Sequence, residues 1–178
     1  MNSQERIALH RRASAALVEA YREGPARGQI AFPDELAIAE DCIFWSPQLG
    51  KGVEFAYGKH LSEAGISFSQ AATLEIQAYW HHMPDFAAVG PVTTLAAEDG
   101  WAQLWKFRGT TSDGTVLEFH EADLVKTNSS GQILRWEAML DWTELRPMVE
   151  LVVGKSLPNG VSMDDYFGAI AAFHGLVA

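Results

Sequence analysis

An α+β fold, with helices leading into a curved antiparallel sheet, is predicted by three features of the chain. Helical periodicity dominates the first half. Four long strand-like runs then follow one another between residues 89 and 142, and tight turn signals separate them. Strands that neighbour each other in sequence form a meander, and a curved sheet of that kind needs its concave side filled by side chains or a ligand.

The first helix is expected over residues 4–23, where Ile7, Leu17, Val18 and Tyr21 share a face, with Gly24-Pro25 as its stop. Residues 25–33 read as a loop. Pro33-Asp34-Glu35 reads as the start of a short helix over Leu36 to Glu40, ahead of a strand from Asp41 to Ser46 that Pro47 ends. The glycine-rich region 48–66 carries no clear pattern. A second long helix is expected from Ser69 to Met83, with Ala72, Ile76, Tyr79, Trp80 and Met83 on one side. His81 and His82 fall in its last turn, where positive charge suits the helix dipole.

Val89 to Ala97 reads as an edge strand because Gly90-Pro91 would interrupt a central one. Trp101 to Thr111 and Val116 to Thr127 are joined by the hairpin signal Ser112-Asp113-Gly114. A turn through Asn128 to Gly131 leads to Gln132 to Trp142. Two further helices are expected, one ending at Gly154 and one opening at Ser162-x-x-Asp165 before Tyr166, Phe167, Ile170 and Phe173.

With 178 residues, 48% hydrophobic and 20% charged, the chain suits one domain with a substantial core. A net charge of −10 disfavours nucleic acid and anionic membrane surfaces as partners. The polar stretch Met1 to Arg12 lacks a signal-like apolar block, so a cytoplasmic location is expected. The single Cys42 has no internal disulfide partner. No histidine spacing suits a metal, and no metal or cofactor is expected.

The chemistry concentrates on Phe119-His120-Glu121-Ala122-Asp123-Leu124-Val125. With a strand period of two, Glu121 and Asp123 share a face with Leu117, Phe119 and Val125, while His120 points the other way. A carboxylate on an apolar face must be paired, solvated or kept protonated. A turn centred on Ser129-Ser130 sets Asp123 opposite Trp136, Glu121 opposite Ala138 and Phe119 opposite Leu140. The apolar even positions of the last strand then carry both carboxylates inward, and a one-residue slip would reverse them. On the other side two registers are open. A two-residue turn at Asp113-Gly114 pairs Lys106 with Glu121 and Leu104 with Asp123. A three-residue turn sets Trp105 and Gln103 beside them, where burial raises their pKa values.

The order of elements resembles the nuclear transport factor 2-like superfamily, which includes SnoaL-like polyketide cyclases, ketosteroid isomerases, limonene epoxide hydrolase and scytalone dehydratase. The resemblance rests on Ala39-Glu40-Asp41 through Ser46-Pro47, His82-Met83-Pro84-Asp85-Phe86, Glu98-Asp99-Gly100, Trp105 to Gly109, and Gly131-Gln132-Ile133 through Trp136 and Asp141. It implies a cone-like α+β barrel over residues 1–145 and a C-terminal helical extension over 146–178, packed on the same domain or on a dimer partner. The fold hosts many unrelated functions.

Ser46 stands where the isomerases place their catalytic Asp. Asp123, eight residues before Gly131, matches their oxyanion-hole Asp, and Tyr21 approximates their helix-one Tyr. Ala138 stands where the epoxide hydrolase has an Asp, and Glu121 from the neighbouring strand is the expected replacement. The resemblance, together with the compensation by Glu121 that the strand pairing alone suggests, leads to the expectation of a cofactor-free acid–base enzyme of isomerase, cyclase or dehydratase type on an apolar cyclic substrate. Glu121 would be the base, Asp123 and Tyr21 the hydrogen-bond donors, Trp105 and Trp136 the walls, and Phe119, Ala138 and Ser46 further substrate contacts. The alternative is a non-catalytic ligand-binding or dimerisation module with structural carboxylates. A homodimer is expected under either.

Overall fold

The computed structural model describes residues 1–33 and 36–176. Its elements run α1 (Ser3–Arg27), β1 (Ile38–Trp45), α2 (Tyr57–Ala64), α3 (Phe68–His82), β2 (Ala87–Ala97), β3 (Gly100–Thr110), β4 (Val116–Thr127), β5 (Ile133–Leu140), α4 (Trp142–Val153) and α5 (Met163–Phe173). The α+β class is as expected. The sheet is curved and open, in the order β1-β5-β4-β3-β2. It is mixed rather than wholly antiparallel, because β1 pairs with β5 in parallel. A long connection through two helices and three strands separates β1 from β5, so no hairpin dictates their relative direction.

Helix α1 opens with a capping box between Asn2 and Glu5 and runs past Gly24-Pro25 to a left-handed cap at Gly28. The expected stop therefore fails. Pro25 sits near the helix end, where its missing N–H sacrifices one bond rather than the helix. Gly24 is there for packing: a Cβ would lie 2.7 Å from Ile30 Cδ1 and 2.9 Å from Trp80 Cζ2.

The short helix expected over Leu36 to Glu40 is not found. β1 already begins at Ile38, while Asp34 and Glu35 lie outside the described residues. The unassigned glycine-rich region contains α2, which packs on β1. Helix α3 follows expectation, capped by Ser67 and Gln70. Its His81 and His82 close the last turn, but partial burial, then the neighbouring His81, lower the pKa of His82 and weaken its charge–dipole role. β5 ends two residues early because the Asp141 carboxylate accepts the Thr143 N–H at 2.9 Å and starts α4.

The edge position of β2 is as expected, and its pairing with β3 breaks between Val89 and Thr93 around Gly90-Pro91. The β3–β4 turn takes the three-residue form. Thr111 and Thr115 close it, with Gly114 at φ 85°, so Trp105 lies opposite Glu121 and Gln103 opposite Asp123. Lys106 instead pairs with Glu118, its ammonium 3.0 Å from the carboxylate.

The β4–β5 register differs from the expected one yet keeps the same face. Thr127 pairs with Ile133, one residue further on than expected. A bulge then adds a second residue, so that Val125 faces Trp136, Asp123 faces Ala138 and Glu121 faces Leu140. One slip would turn the carboxylates to solvent, whereas two restore them.

Helix α1 lies against β2 and β3, and α4 and α5 pack on each other and on α3. Together they cover the inward face of the sheet, where the main core forms around Trp101, Trp105, Phe107 and Trp136. No helix among the described residues is long and apolar enough to cross a membrane.

The seat of α2 depends on Gly58, where a Cβ would come within 2.0 Å of the Ala39 carbonyl oxygen. Backbone cannot yield as a side-chain tip can. Gly58→Ala is expected to destabilise the fold by about 1–3 kcal/mol. Urea denaturation measures this as a lowered midpoint, and an unchanged midpoint would refute the close approach.

Candidate functional site

A buried polar chain runs from α1 to the inward face of β4. Ser14 Oγ–H donates to Gln103 Oε1 at 2.9 Å, and Trp101 Nε1–H donates to the same oxygen at 3.1 Å. With its carbonyl occupied by two donors, the Gln103 amide must turn its nitrogen the other way. That nitrogen donates to Asp123 Oδ2 at 3.1 Å, while Trp136 Nε1–H donates to Oδ1 at 2.8 Å. The Trp105 indole N–H also lies near enough to lower the Asp123 pKa, but outside hydrogen-bond geometry, and finds no partner. Asp123 is 1% exposed. It is therefore a buried acceptor surrounded by N–H groups, the setting that stabilises a carboxylate.

Glu121 stands beside Asp123 on the same inward face and receives no N–H donor from the described residues. Burial raises its pKa well above the usual range, and the neighbouring Asp123 and the charge of Glu75 push it further. Burial raises Asp123 as well, but the approach of Glu121 and the bonds from Trp136 and Gln103 counteract it. The donors gathered on Asp123 favour its carboxylate over that of Glu121.

Glu121 lines a cavity of about 120 Å³, together with Tyr21, Trp105, Phe119, Trp136 and Ala138. These are six of the eight residues singled out in the sequence. Asp123 stands behind the wall, and Ser46 is elsewhere: its fully buried hydroxyl accepts the Leu49 N–H at 3.3 Å and shapes the turn after β1. Opposite Ala138 sits Asp123, not Glu121, so the expected replacement comes from a position diagonal to Ala138. Tyr21 stands edge-on to Trp105 and Phe107, with ring centres 5.4 and 5.6 Å apart. Its pKa is driven well up, first by burial and then by the charges of Glu75, Tyr57, Glu121 and Asp123.

The second carboxyl in the cavity wall is Glu75 of α3, a residue not singled out in the sequence. The Tyr166 hydroxyl donates to Glu75 Oε1 at 2.6 Å and lies 2.9 Å from the Tyr79 hydroxyl. Burial raises the Glu75 pKa and the Tyr166 bond lowers it in part. A signal for Glu75 existed. It lies three residues after Ala72 and four before Tyr79, on the helix face expected to be apolar. Tyr166 and Phe167 bring α5 into the same wall. No group of three or more His, Cys, Asp or Glu able to hold a metal occurs among the described residues.

No protein-family model and no curated protein matches the chain. Solved structures do. PrhC from Penicillium brasilianum is 13% identical with a TM-score of 0.48, covering 92% of this chain and 97% of its own. TerC, co-crystallised with polyporic acid, is 14% identical with a TM-score of 0.47, covering 80% of this chain and 98% of its own. A steroid delta-isomerase from Pseudomonas aeruginosa is 18% identical with a TM-score of 0.44, covering 92% and 94%. An NTF2-like protein from Burkholderia xenovorans is 13% identical with a TM-score of 0.46, covering 83% and 98%. The chain is similar to these proteins in fold. With TM-scores below 0.5 the likeness assigns no activity, and the chemistry has to come from the residues themselves.

The carboxyl pair has a consequence for stability. Glu121 and Asp123 bind protons more tightly folded than unfolded, so their contribution is fully present below the usual carboxylate range. It is lost as pH rises from the unfolded value, 4.5 for Glu121, through the raised folded value. Glu121→Gln is expected to flatten the fall of the urea midpoint above that pH. An unaltered slope would show that the pair does not share a tightly held proton.

Proposed function

We propose that the protein is a small-molecule enzyme that performs acid–base chemistry without a cofactor on a compact cyclic substrate. The observation that carries this reading is the pair Glu121 and Glu75, two carboxyls of unlike surroundings in the wall of one aromatic cavity. Environments that push the pKa values of two acids apart are how one site holds an acid and a base together. Glu121 is the acid and Glu75 the base. Asp123 fixes the Glu121 proton, while Tyr166 and Tyr79 steady the Glu75 carboxylate. Glu75 removes a proton from the substrate as Glu121 delivers its own to a second position. The two carboxyls finish with protonation exchanged and re-equilibrate before the next turnover. Such a step isomerises a ring or, with a leaving hydroxyl, dehydrates it.

A cavity of about 120 Å³ is smaller than the one of about 150 Å³ that accepts benzene. The substrate is accordingly ring-sized rather than polycyclic. A second reading, a binding module without turnover, draws on Ser46 and Ala138, which stand where the resembling enzymes carry acids.

The two readings separate in deuterium oxide. Wild-type protein incubated with cyclobutanone is expected to exchange the protons beside the carbonyl about a hundredfold or more above the protein-free rate, by proton NMR. Glu75→Gln and Glu121→Gln should each abolish this. Binding of the probe without exchange would favour the module.

We also propose that the protein pairs with a second copy through the outer sheet face. Leu104, Ala122 and Met139 lie side by side there, with Leu104 and Met139 51% and 45% exposed. Light scattering is expected to give twice the chain mass, and the double variant Leu104→Glu, Met139→Glu the monomer mass. A monomeric wild type would refute the pairing.

A further inference from the structure

Twelve of the twenty side chains around the cavity are aromatic, six are aliphatic and the remaining two are Glu75 and Glu121. Among the described lining residues there is no lysine, arginine or histidine. Polarity in this wall therefore has one sign. Two acids are placed among the negatively polarised faces of aromatic rings, with no cationic side chain beside them in the wall.

Two further groups point to a ligand. Tyr57 is 8% exposed and lines the cavity, yet its hydroxyl makes no hydrogen bond to a described residue. Tyr21 lines it too and is likewise without a partner among the described residues. Glu75 lines the same cavity as both tyrosines, and its charge raises the pKa of each. Neither hydroxyl is shut off from solvent, and both side chains line the cavity, where a bound molecule can supply the partner.

From this arrangement we infer that the cavity takes a compact organic cation, an ammonium group carried on a single ring. The inference rests on the acid–base reading for the identity of the site and deepens it by naming the substrate class. Ammonium is attracted to aromatic faces and to carboxylates alike, and small aromatic enclosures are the usual hosts of alkylated ammonium groups. Its three N–H donors fit the acceptors available: the two carboxyls and the unpartnered hydroxyls of Tyr21 and Tyr57. An anion would meet only repulsion. The chain's net charge of −10 favours the approach of a cation from outside as well. A neutral ring bearing a carbonyl gains the Glu121 proton but no charge pairing with Glu75, so it makes the opposite prediction with pH.

The titratable groups that bear on this ligand come from four elements besides β4, which contributes Glu121 and, behind it, Asp123. They are Tyr21 from α1, Tyr57 from α2, Glu75 and Tyr79 from α3, and Tyr166 from α5. Burial drives the tyrosines upward, so the carboxyls are the first of these groups to ionise as pH rises.

The experiment uses the full chain, with cyclobutylammonium and its uncharged counterpart cyclobutanol as probes, followed by calorimetry and by tryptophan fluorescence. Cyclobutylammonium is expected to bind about tenfold or more tighter than the alcohol. Its affinity should rise with pH as the carboxyls ionise. Glu75→Gln and Glu121→Gln, checked for folding by circular dichroism, should each reduce the preference for the cation. Should either variant fail to fold, the comparison of the two probes and the pH series on wild type decide alone. Equal or tighter binding of the alcohol, or affinity for cyclobutylammonium that falls with pH, would overturn the inference. Preference for cyclobutylammonium in a protein that binds cyclobutanone without exchanging its protons upholds the ligand class and sinks the enzyme reading. Exchange of cyclobutanone protons without preference for the cation does the reverse.

Discussion

Two carboxyl groups on successive inward positions of one strand have to live in the same buried space, and much of the molecule is organised around that constraint. Neighbouring buried carboxylates repel, and each alone is costly to desolvate. The protein answers with asymmetry. Asp123 receives N–H donors from β3 and β5, while Glu121 receives none from the described residues and its pKa is raised well above the usual range. Gln103 can donate only because Ser14 and Trp101 occupy its carbonyl, so helix α1 takes part in setting the charge state of a residue it does not touch. A network in which each member is satisfied is rigid, and a half-satisfied one is costlier than an apolar core. The Trp105 N–H, buried without a partner, adds to the positive surroundings of Asp123.

How far the sequence reveals this depends on which residues are considered. The inward direction of Glu121 and Asp123 was legible because strand alternation is a local property. Their partners were not, because register is set by turn and bulge geometry. Two one-residue offsets on the β5 side left the face correct and the pairing wrong. On the β3 side the three-residue turn was one of two open options, and only the folded hairpin decides between them. Gly24-Pro25 looked like a helix stop because composition alone does not show that Ile30 and Trp80 press against Gly24. The strand hidden under Leu36 to Glu40 has the same origin: pairing with β5 overrides a weak helical pattern.

Glu75 is a different case. The argument that singled out Glu121, a carboxylate on an apolar face, applies equally to a helix once its period is used. Glu75 interrupts the stripe that runs through Ala72, Ile76 and Tyr79, and it ends in the cavity wall. What no local rule supplies is its partner. Tyr166 is distant in sequence, and the contact exists only because α5 folds back over α3.

That long-range tie bears on the chemistry. The sheet and α1 contribute Glu121, Tyr21 and two tryptophans to the cavity wall. The second carboxyl comes from α3 and is held by a hydroxyl from α5, both outside the sheet. The Tyr166 bond counteracts the burial that raises Glu75, whereas the neighbouring Asp123 adds to the burial that raises Glu121. The difference between the two acids therefore originates in which element approaches each: β4 supplies Glu121 with a second carboxyl, and α5 supplies Glu75 with a donor. A helix following the meander thus sets the contrast between two carboxyls in one cavity wall.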